Sequence, residues 1–417
     1  MEQKTLILLC DNYPLSAREF FIDDEMRVIA PKFDKVLIYT ASVDTRENLN
    51  RFVPDNAEVI QFSRHQLESN KLKSFSYVIK PMYVTELFFA LKTLPIKYWL
   101  SVIKIMYVEI HRAANLKKNL VGLCKVKNLN PSDCVFYSYW HDYKALMLAM
   151  LRKENESLKC VARAHRWDVF ADKNLIPYLP FKSFIINNLS QTYSISDAGK
   201  TYFEQYLNRN LDSKVTVSRL GKFNMHIPVF KKNTENFIIC SCSNINPMKR
   251  VHLIVSILSK MKIQNIKWIH FGEGYEESKK LILNTIQSQY PTLNYELKGM
   301  VSNEKVLDYY SQNYIDLFIN VSDNEGIPVS IMEAMSAGIP VVATNVGGTS
   351  EIVNEKNGYL IEENFDPYKV AQIVDNHLRL PLMMLEKIRF EAYSTWKNNY
   401  DAASNYSVFY EKIMNLK

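Results

Sequence analysis

Glycine and proline are scarce in this chain, at 11 and 15 of 417 residues, and no segment is of low complexity. Long disordered stretches are therefore not expected. No stretch approaches the ~20 uncharged apolar residues that a membrane-crossing helix needs. The first apolar run, Thr5–Cys10, is too short for a signal peptide and reads as a buried strand. The six cysteines, Cys10, Cys124, Cys134, Cys160, Cys240 and Cys242, form no C-x-x-C pair, which argues against zinc and thioredoxin-like chemistry. Cys240 and Cys242 are one residue apart but have no second pair near them. Several of these thiols fall in apolar runs, so reduced, buried cysteines in a cytosolic protein are expected. No Asp-x-Asp stands in a strand-end loop, and no nucleic-acid-binding motif is present.

What is present is a large apolar fraction, 47%, in a chain long enough for two or three domains at roughly 100–200 residues each. The charge is uneven. Residues 71–127 hold eleven Lys or Arg against Glu86 and Glu109 alone, a surplus of nine where the whole chain carries +7. Tyr77, Tyr83, Phe88, Phe89, Trp99, Ile103 and Tyr107 are interleaved with them. Basic and large apolar residues together suit an anionic membrane surface or an anionic acceptor. The plainer reading is a solvated amphipathic helical region.

Short apolar runs alternate with helical patterns throughout, the signature of an α/β fold with parallel sheets. Strands are expected at Thr5–Cys10, Val36–Thr40, Cys134–Tyr137, Cys160–Arg163, Ser183–Ile186 and Thr192–Ser194. Residues 71–127 read as helices broken at Pro81 and Pro95. The pattern loosens over 219–230. A second series then follows: Asn236–Cys240, Lys267–Phe271, Tyr295–Leu297, Leu317–Asn320 and Pro340–Ala343. The reading is therefore two Rossmann-like domains facing a central cleft, 1–225 and 226–395, with a helix over 396–417 crossing back to the first. Ligands of such sheets bind at the carboxyl ends of the strands.

The most informative stretch runs from Asn320 to Pro340. A buried strand leads into a polar turn, and Pro328 marks the first turn of a helix ending at Gly338. The expected N-cap, Gly326 or Ile327, has no side-chain oxygen. The amides near Val329 and Ser330 are left open, and a helix N-terminus with open amides suits a pyrophosphate. Glu325 precedes this helix and Glu333 lies inside it, up to roughly 12 Å further along the axis. Ionised carboxylates are strong acceptors for sugar hydroxyls.

This Glu-x7-Glu segment resembles the signature of the family-four retaining glycosyltransferases of the GT-B fold (glycosyl transferases group 1). Val341–Glu351 and Asn357–Leu360 are similar to that family's following stretches. Ser241–Val255 resembles its strand–loop–helix with a phosphate-binding lysine, here Lys249. Ser243 and Asn244 replace the family's frequent Gly-Arg pair, which leaves Arg250 as the candidate to compensate. His270–Gly274 resembles its Gly-x-Gly turn. Arg163–Asp168 resembles the stretch that carries a cleft histidine, here His165, with His141 a rival. Residues 16–25 resemble the acceptor-side loop of some members, without the usual glycine-rich turn.

The resemblance implies metal-independent transfer of a hexose-type sugar with retention of configuration, and no cofactor. The donor is a nucleotide-sugar, held by 226–395, and the acceptor a glycan or lipid-linked molecule, held by 1–225, with surface polysaccharide synthesis as the setting. Glu325 and His165 would be catalytic, Glu325 holding the hexose and Glu333 the ribose. Lys249, Ile327, Pro328, Val329, Ser330, Asp168, Gly274, Asn244 and Arg250 would complete the substrate site. The expected location is cytoplasmic, peripheral at the inner membrane face, with no nucleic-acid partner. The alternatives are a non-catalytic GT-B scaffold or activator, and a nucleotide-sugar epimerase.

Overall fold

The computed structural model describes residues 4–16, 19–41, 51–62, 67, 75–224, 226, 228, 229, 231, 232 and 236–416, without the side chain of residue 173. Lys71 and Lys73 of the basic stretch, and residues 17 and 18 of the acceptor-side loop, lie outside the described residues. The chain divides into two compact units. One is Met1–Arg219 with Ala402–Lys417, the other Leu220–Asp401. The division falls six residues before the expected 225/226 boundary. The returning segment starts at Ala402, not at 396, because residues 396–399 complete the helix Leu382–Asn399 of the second unit.

The first unit holds a seven-stranded parallel sheet in the order β3-β2-β1-β4-β5-β6-β7. The strands are β1 Thr5–Cys10, β2 Lys35–Thr40, β3 Ala57–Gln61, β4 Cys134–Ser138, β5 Lys159–Ala164, β6 Gln191–Ser194 and β7 Val215–Val217. Central β1 is buried along its whole length, with Leu6 beside Val36 on one side and Val135 on the other. Parallel strands covered on both faces read as unbroken apolar runs, which is why these were legible. The edge strands β3 and β7 are only partly buried and carry no such run. Ser183–Ile186 is not a strand but part of the helix Lys182–Asn188. Phe181, Lys182, Ile185, Ile186 and Leu189 are buried there at helical spacing, and a short apolar run does not distinguish the two periods. The basic stretch forms the helices Pro81–Thr93 and Trp99–Val126, separated at Pro95.

The terminal helix Ala402–Met414 buries Tyr406, Phe409 and Ile413. Phe409 packs its ring 5.3 Å from Tyr137 and 5.1 Å from Tyr193, and the Arg163 guanidinium lies 4.3 Å over it.

The second unit is a six-stranded parallel sheet in the order β10-β9-β8-β11-β12-β13. Its strands are β8 Phe237–Cys242, β9 Ile266–Phe271, β10 Asn294–Leu297, β11 Leu317–Asn320, β12 Val341–Thr344 and β13 Gly358–Ile361. In both sheets the strand order reverses at one place, between β1 and β4 and between β8 and β11. Crevices at such switch points are where open α/β sheets bind ligands. Among the described residues no helix is long and apolar enough to cross a membrane. All six cysteines are free, five of them buried.

Candidate functional site

At the switch point of the second unit, the loop after β8 supplies Lys249 and the loop after β11 supplies Glu325. Lys249 Nζ donates to Glu325 Oε1, joining the two loops. Asn320 Nδ2 lies 3.4 Å from the same oxygen. Glu325 is buried. Burial alone would raise its carboxyl, but the Lys249 ammonium and hydrogen bonds from Lys249, Ser322 and Asn320 hold it below the ordinary carboxylate value. Asn246 Oδ1 accepts from Lys249 N at 3.0 Å and fixes the turn that presents the lysine.

The helix after the Glu325 loop is Val329–Ser336. Its N-cap is Pro328, one or two residues later than expected, and like Gly326 or Ile327 it has no side-chain acceptor. The Pro328 carbonyl receives Ile331 N at 3.1 Å and Met332 N at 3.3 Å. Among the described residues nothing accepts from the amides of Val329 and Ser330. Buried Asn324, beside Glu325, also has an Nδ2 without an acceptor among them. Ile327 and Pro328 are buried and shape the turn. Behind it, Gly347 has φ +53°, and a Cβ there would lie 1.7 Å from the Glu325 carbonyl oxygen. Gly348 N donates to Gly326 O at 2.9 Å. The Gly-Gly after β12 thus serves to seat the Glu325 loop.

Glu333, midway along the helix, is buried and accepts from Asn303 Nδ2 at 2.6 Å. Lys222 Nζ lies 3.5 Å from Glu333 Oε1 and 2.8 Å from Asn303 Oδ1. Sequence reasoning missed Lys222, because it stands in the loosened stretch between the two strand series. The signal was a basic residue flanked by Gly221 and Phe223. The Cys242 thiol is pushed up by burial and then by Glu333, and pulled down by Lys249 and Lys222, so it feels both ion pairs.

Three expected substrate contacts have other work. Arg250 donates from Nε to Val321 O at 2.8 Å, from Nη1 to Glu363 O at 2.9 Å and from Nη2 to Ser322 O at 3.3 Å. It therefore braces the loop leading to Glu325; Asn244, in the position of the family's frequent arginine, is exposed. Gly274 packs against the loop after β8: a Cβ there would lie 1.9 Å from Ile245 O. Asp168 in the first unit is buried, with Oδ1 accepting from His165 N and Oδ2 from His141 N, both at 2.8 Å. It clamps two loops together, and both its oxygens are engaged.

His165 follows β5, with its ring 4.6 Å from that of Trp140 and 4.7 Å from that of Tyr139. Burial, then the Arg163 charge, hold it well below the ordinary histidine value, so the ring is neutral. Nε2 donates to Tyr139 O at 3.0 Å, which leaves Nδ1 as the acceptor. His141 is fully buried, with Nδ1 3.1 Å from Lys182 Nζ and Nε2 3.3 Å from Thr192 Oγ1. Both of its nitrogens are taken. In the loop after β1, the Glu19 carboxylate receives Asp11 N at 3.2 Å, Asn12 N at 2.6 Å and Tyr13 N at 2.8 Å. An internal carboxylate fills the amide cradle of a turn that has no glycines.

Residues 223–395 match the family model described as glycosyl transferases group 1. This domain belongs to that family. The group 1 match takes in Lys249, Glu325 and Glu333. Over 131 residues the chain is 33% identical to the O-antigen biosynthesis glycosyltransferase WbnH of Escherichia coli, covering 31% of this chain and 35% of that one. Over 171 residues it is 32% identical to the putative colanic acid biosynthesis glycosyltransferase WcaL of Escherichia coli K12, covering 38% and 41%. The chain thus spans 35% and 41% of the length of these relatives. Its fold matches sucrose-phosphate synthase from Thermosynechococcus elongatus with a TM-score of 0.73 at 12% identity, over 100% of both chains. It also matches HepE from Anabaena, solved with UDP and glucose, with a TM-score of 0.67 at 14% identity over 99% and 100%. The two parallel-sheet α/β units are those of the GT-B fold.

Proposed function

We propose that the protein is a retaining, metal-independent glycosyltransferase that moves a hexose-type sugar from a nucleotide-sugar to a glycan or lipid-linked acceptor. The observation that carries this reading is the Lys249–Glu325 pair beside the open amides of Val329 and Ser330, at the switch point of a group 1 domain. Bond cleavage develops negative charge on the leaving diphosphate. Two preorganised amides and an ammonium stabilise that charge without reorganising. Glu325, kept ionised, accepts hydroxyls of the hexose, and Glu333 those of the ribose. In the N-terminal unit we assign His165 to a sugar hydroxyl, which would donate to Nδ1. The leaving phosphate takes the acceptor proton, so no separate base is required.

HepE was solved with UDP, which makes a uridine nucleotide the first to try. The names of WbnH and WcaL favour a surface polysaccharide as the product. The test is nucleotide release from a panel of UDP- and GDP-sugars, with and without lipid-linked acceptors. Release with one donor, raised by an acceptor, supports the reading. Nucleotide binding without release favours a scaffold, and an isomerised donor favours an epimerase.

We also propose reversible docking on an anionic leaflet at the cytoplasmic face through the basic stretch. Ile79, Phe88, Ile96 and Leu100 are 79%, 69%, 75% and 85% exposed, and Lys80, Lys92, Lys97 and Lys104 are exposed among them. Tyr83, one of the apolar residues expected there, faces the core instead.

A further inference from the structure

Lys222 stands at the start of the second unit with its backbone locked. Its N–H donates to Tyr400 O at 2.9 Å, and its carbonyl accepts from Trp396 Nε1 at 3.2 Å. Its side chain is almost wholly buried. The ammonium donates to Asn303 Oδ1 at 2.8 Å and lies 3.5 Å from Glu333 Oε1. Asn303 opens the helix Asn303–Gln312 and donates from Nδ2 to the same Glu333 oxygen at 2.6 Å. Three segments far apart in the chain thus converge on one carboxylate oxygen.

The convergence fixes an orientation as well as a position. A side-chain amide has a donor end and an acceptor end, and an ammonium only donates. Lys222 therefore takes the Asn303 oxygen and turns Nδ2 toward Glu333, and both residues hold the carboxylate by Oε1. A well-packed apolar pair of similar volume would give as much stability as a buried ion pair, or more. What the ion pair adds is one fixed arrangement of polar groups. Its place says what that arrangement serves. Glu333 is on the helix Val329–Ser336, whose first amides belong to the donor site proposed above. The Cys242 thiol, at the end of β8, feels Glu333, Lys249 and Lys222 together, so the cluster lies beside the lysine assigned to the phosphates.

We propose that Lys222 and Asn303 are positioning residues for ribose recognition: they fix Glu333 so that the donor site takes ribonucleotides and rejects their deoxy analogues. This rests on the reading of Glu333 as the ribose contact. A carboxylate held to receive hydroxyls is left unanswered when one is missing, and a polar group buried without its partner is costly. A carboxylate able to swivel would adapt to either sugar, and the selectivity would be lost.

The test is calorimetry on the full chain with UDP and GDP and with the 2′-deoxy and 3′-deoxy form of each. Wild type is expected to bind one of the two ribonucleotides about tenfold or more tighter than at least one of its deoxy forms, as for a hydrogen bond to a charged group. Asn303→Ala and Lys222→Gln should each remove most of that preference by weakening the ribonucleotide, with the deoxy affinity nearly as in wild type. Lys222→Arg, which keeps the cation, should retain more of it than Lys222→Gln. In turnover with the nucleotide-sugar, the loss should fall on KM with kcat kept. Glu333→Gln should abolish the preference, and adding Asn303→Ala to it should change nothing more. Asn303 is only partly buried, so its variant carries the test if Lys222→Gln does not fold. Ribonucleotide and deoxynucleotide weakened equally in Asn303→Ala would make the cluster a structural brace and overturn the proposal, with the ribose contact of Glu333 intact. No preference in wild type, with binding still lost in Lys249→Ala, overturns the ribose reading of Glu333 and this proposal while the donor site stands. If neither nucleotide binds, the donor reading itself fails and the proposal with it.

Discussion

Lys222 Nζ lies 3.5 Å from Glu333 Oε1, with both side chains almost wholly buried. A lysine at the start of the second unit thus meets a carboxylate more than a hundred residues later. Removing one partner of a buried pair leaves the other charge uncompensated and costs about 3–5 kcal/mol. Lys222→Met should destabilise the protein by that order in urea denaturation, and adding Glu333→Gln should restore part of the loss. If the double variant is no more stable than the single one, the pair is not what holds this region.

With Glu325 on the reacting sugar, as proposed, Glu325→Gln should lower turnover ~10²-fold or more. Far-ultraviolet circular dichroism should show an intact fold. Wild-type turnover in this variant would falsify the assignment.

Lys249→Ala should weaken nucleoside diphosphate binding by about 1.5–3 kcal/mol, the range for a hydrogen bond to a charged group. It should also raise the Glu325 carboxyl, since its main source of positive potential is gone. Calorimetry giving equal affinities moves the phosphate contact elsewhere. Arg250, whose guanidinium already holds three carbonyls, is the next candidate to vary.

Activity is expected to survive excess chelator. The carboxylate nearest the proposed diphosphate position, Glu325, already carries an ammonium, and a cation would have to displace it. Activity lost on chelation and restored by magnesium or manganese would rule the site scheme out.

Glu109 sets a pH dependence. Burial first, then Asp142, push its carboxyl up to about 7, against the pull of Arg112, Lys182 and Lys144. A carboxyl raised on folding binds more protons in the native state between its unfolded value near 4.5 and 7. Its contribution to stability therefore falls as pH rises through that window. Glu109→Gln should flatten that part of the stability–pH curve and gain relative to wild type above pH 7. A curve of unchanged shape would show that Glu109 titrates normally.

The protein should sediment with vesicles of anionic lipid at low salt, bind neutral vesicles far less, and be released at high salt. Each lysine near such a surface is worth about 1 kcal/mol. Lys92, Lys97 and Lys104 replaced together by Glu should weaken sedimentation with no change in melting temperature. Wild type ignoring anionic vesicles would make the stretch a solvated helical face.

The sequence by itself determined the α/β class, the central strands and the group 1 segment. Buried parallel strands must be continuous apolar runs, and a strand–turn–helix with Glu325, Pro328 and Glu333 at set spacing is a local pattern. It did not reveal the edge strands β3 and β7, whose half-exposed residues carry no run, or the helix over Ser183–Ile186, whose few apolar residues suit either period. Tertiary structure alone decided how the polar groups are shared. It committed Arg250 to carbonyls, Asp168 to two amides and His141 to Lys182 and Thr192, while leaving Nδ1 of His165 as an acceptor. It also brought Lys222 to Glu333, and Asp11, Glu109 and Asp142 around one cavity. Those partners come from strands and helices far apart in the chain. Which donor meets which acceptor is set by sheet order and burial, and no spacing along the sequence encodes it.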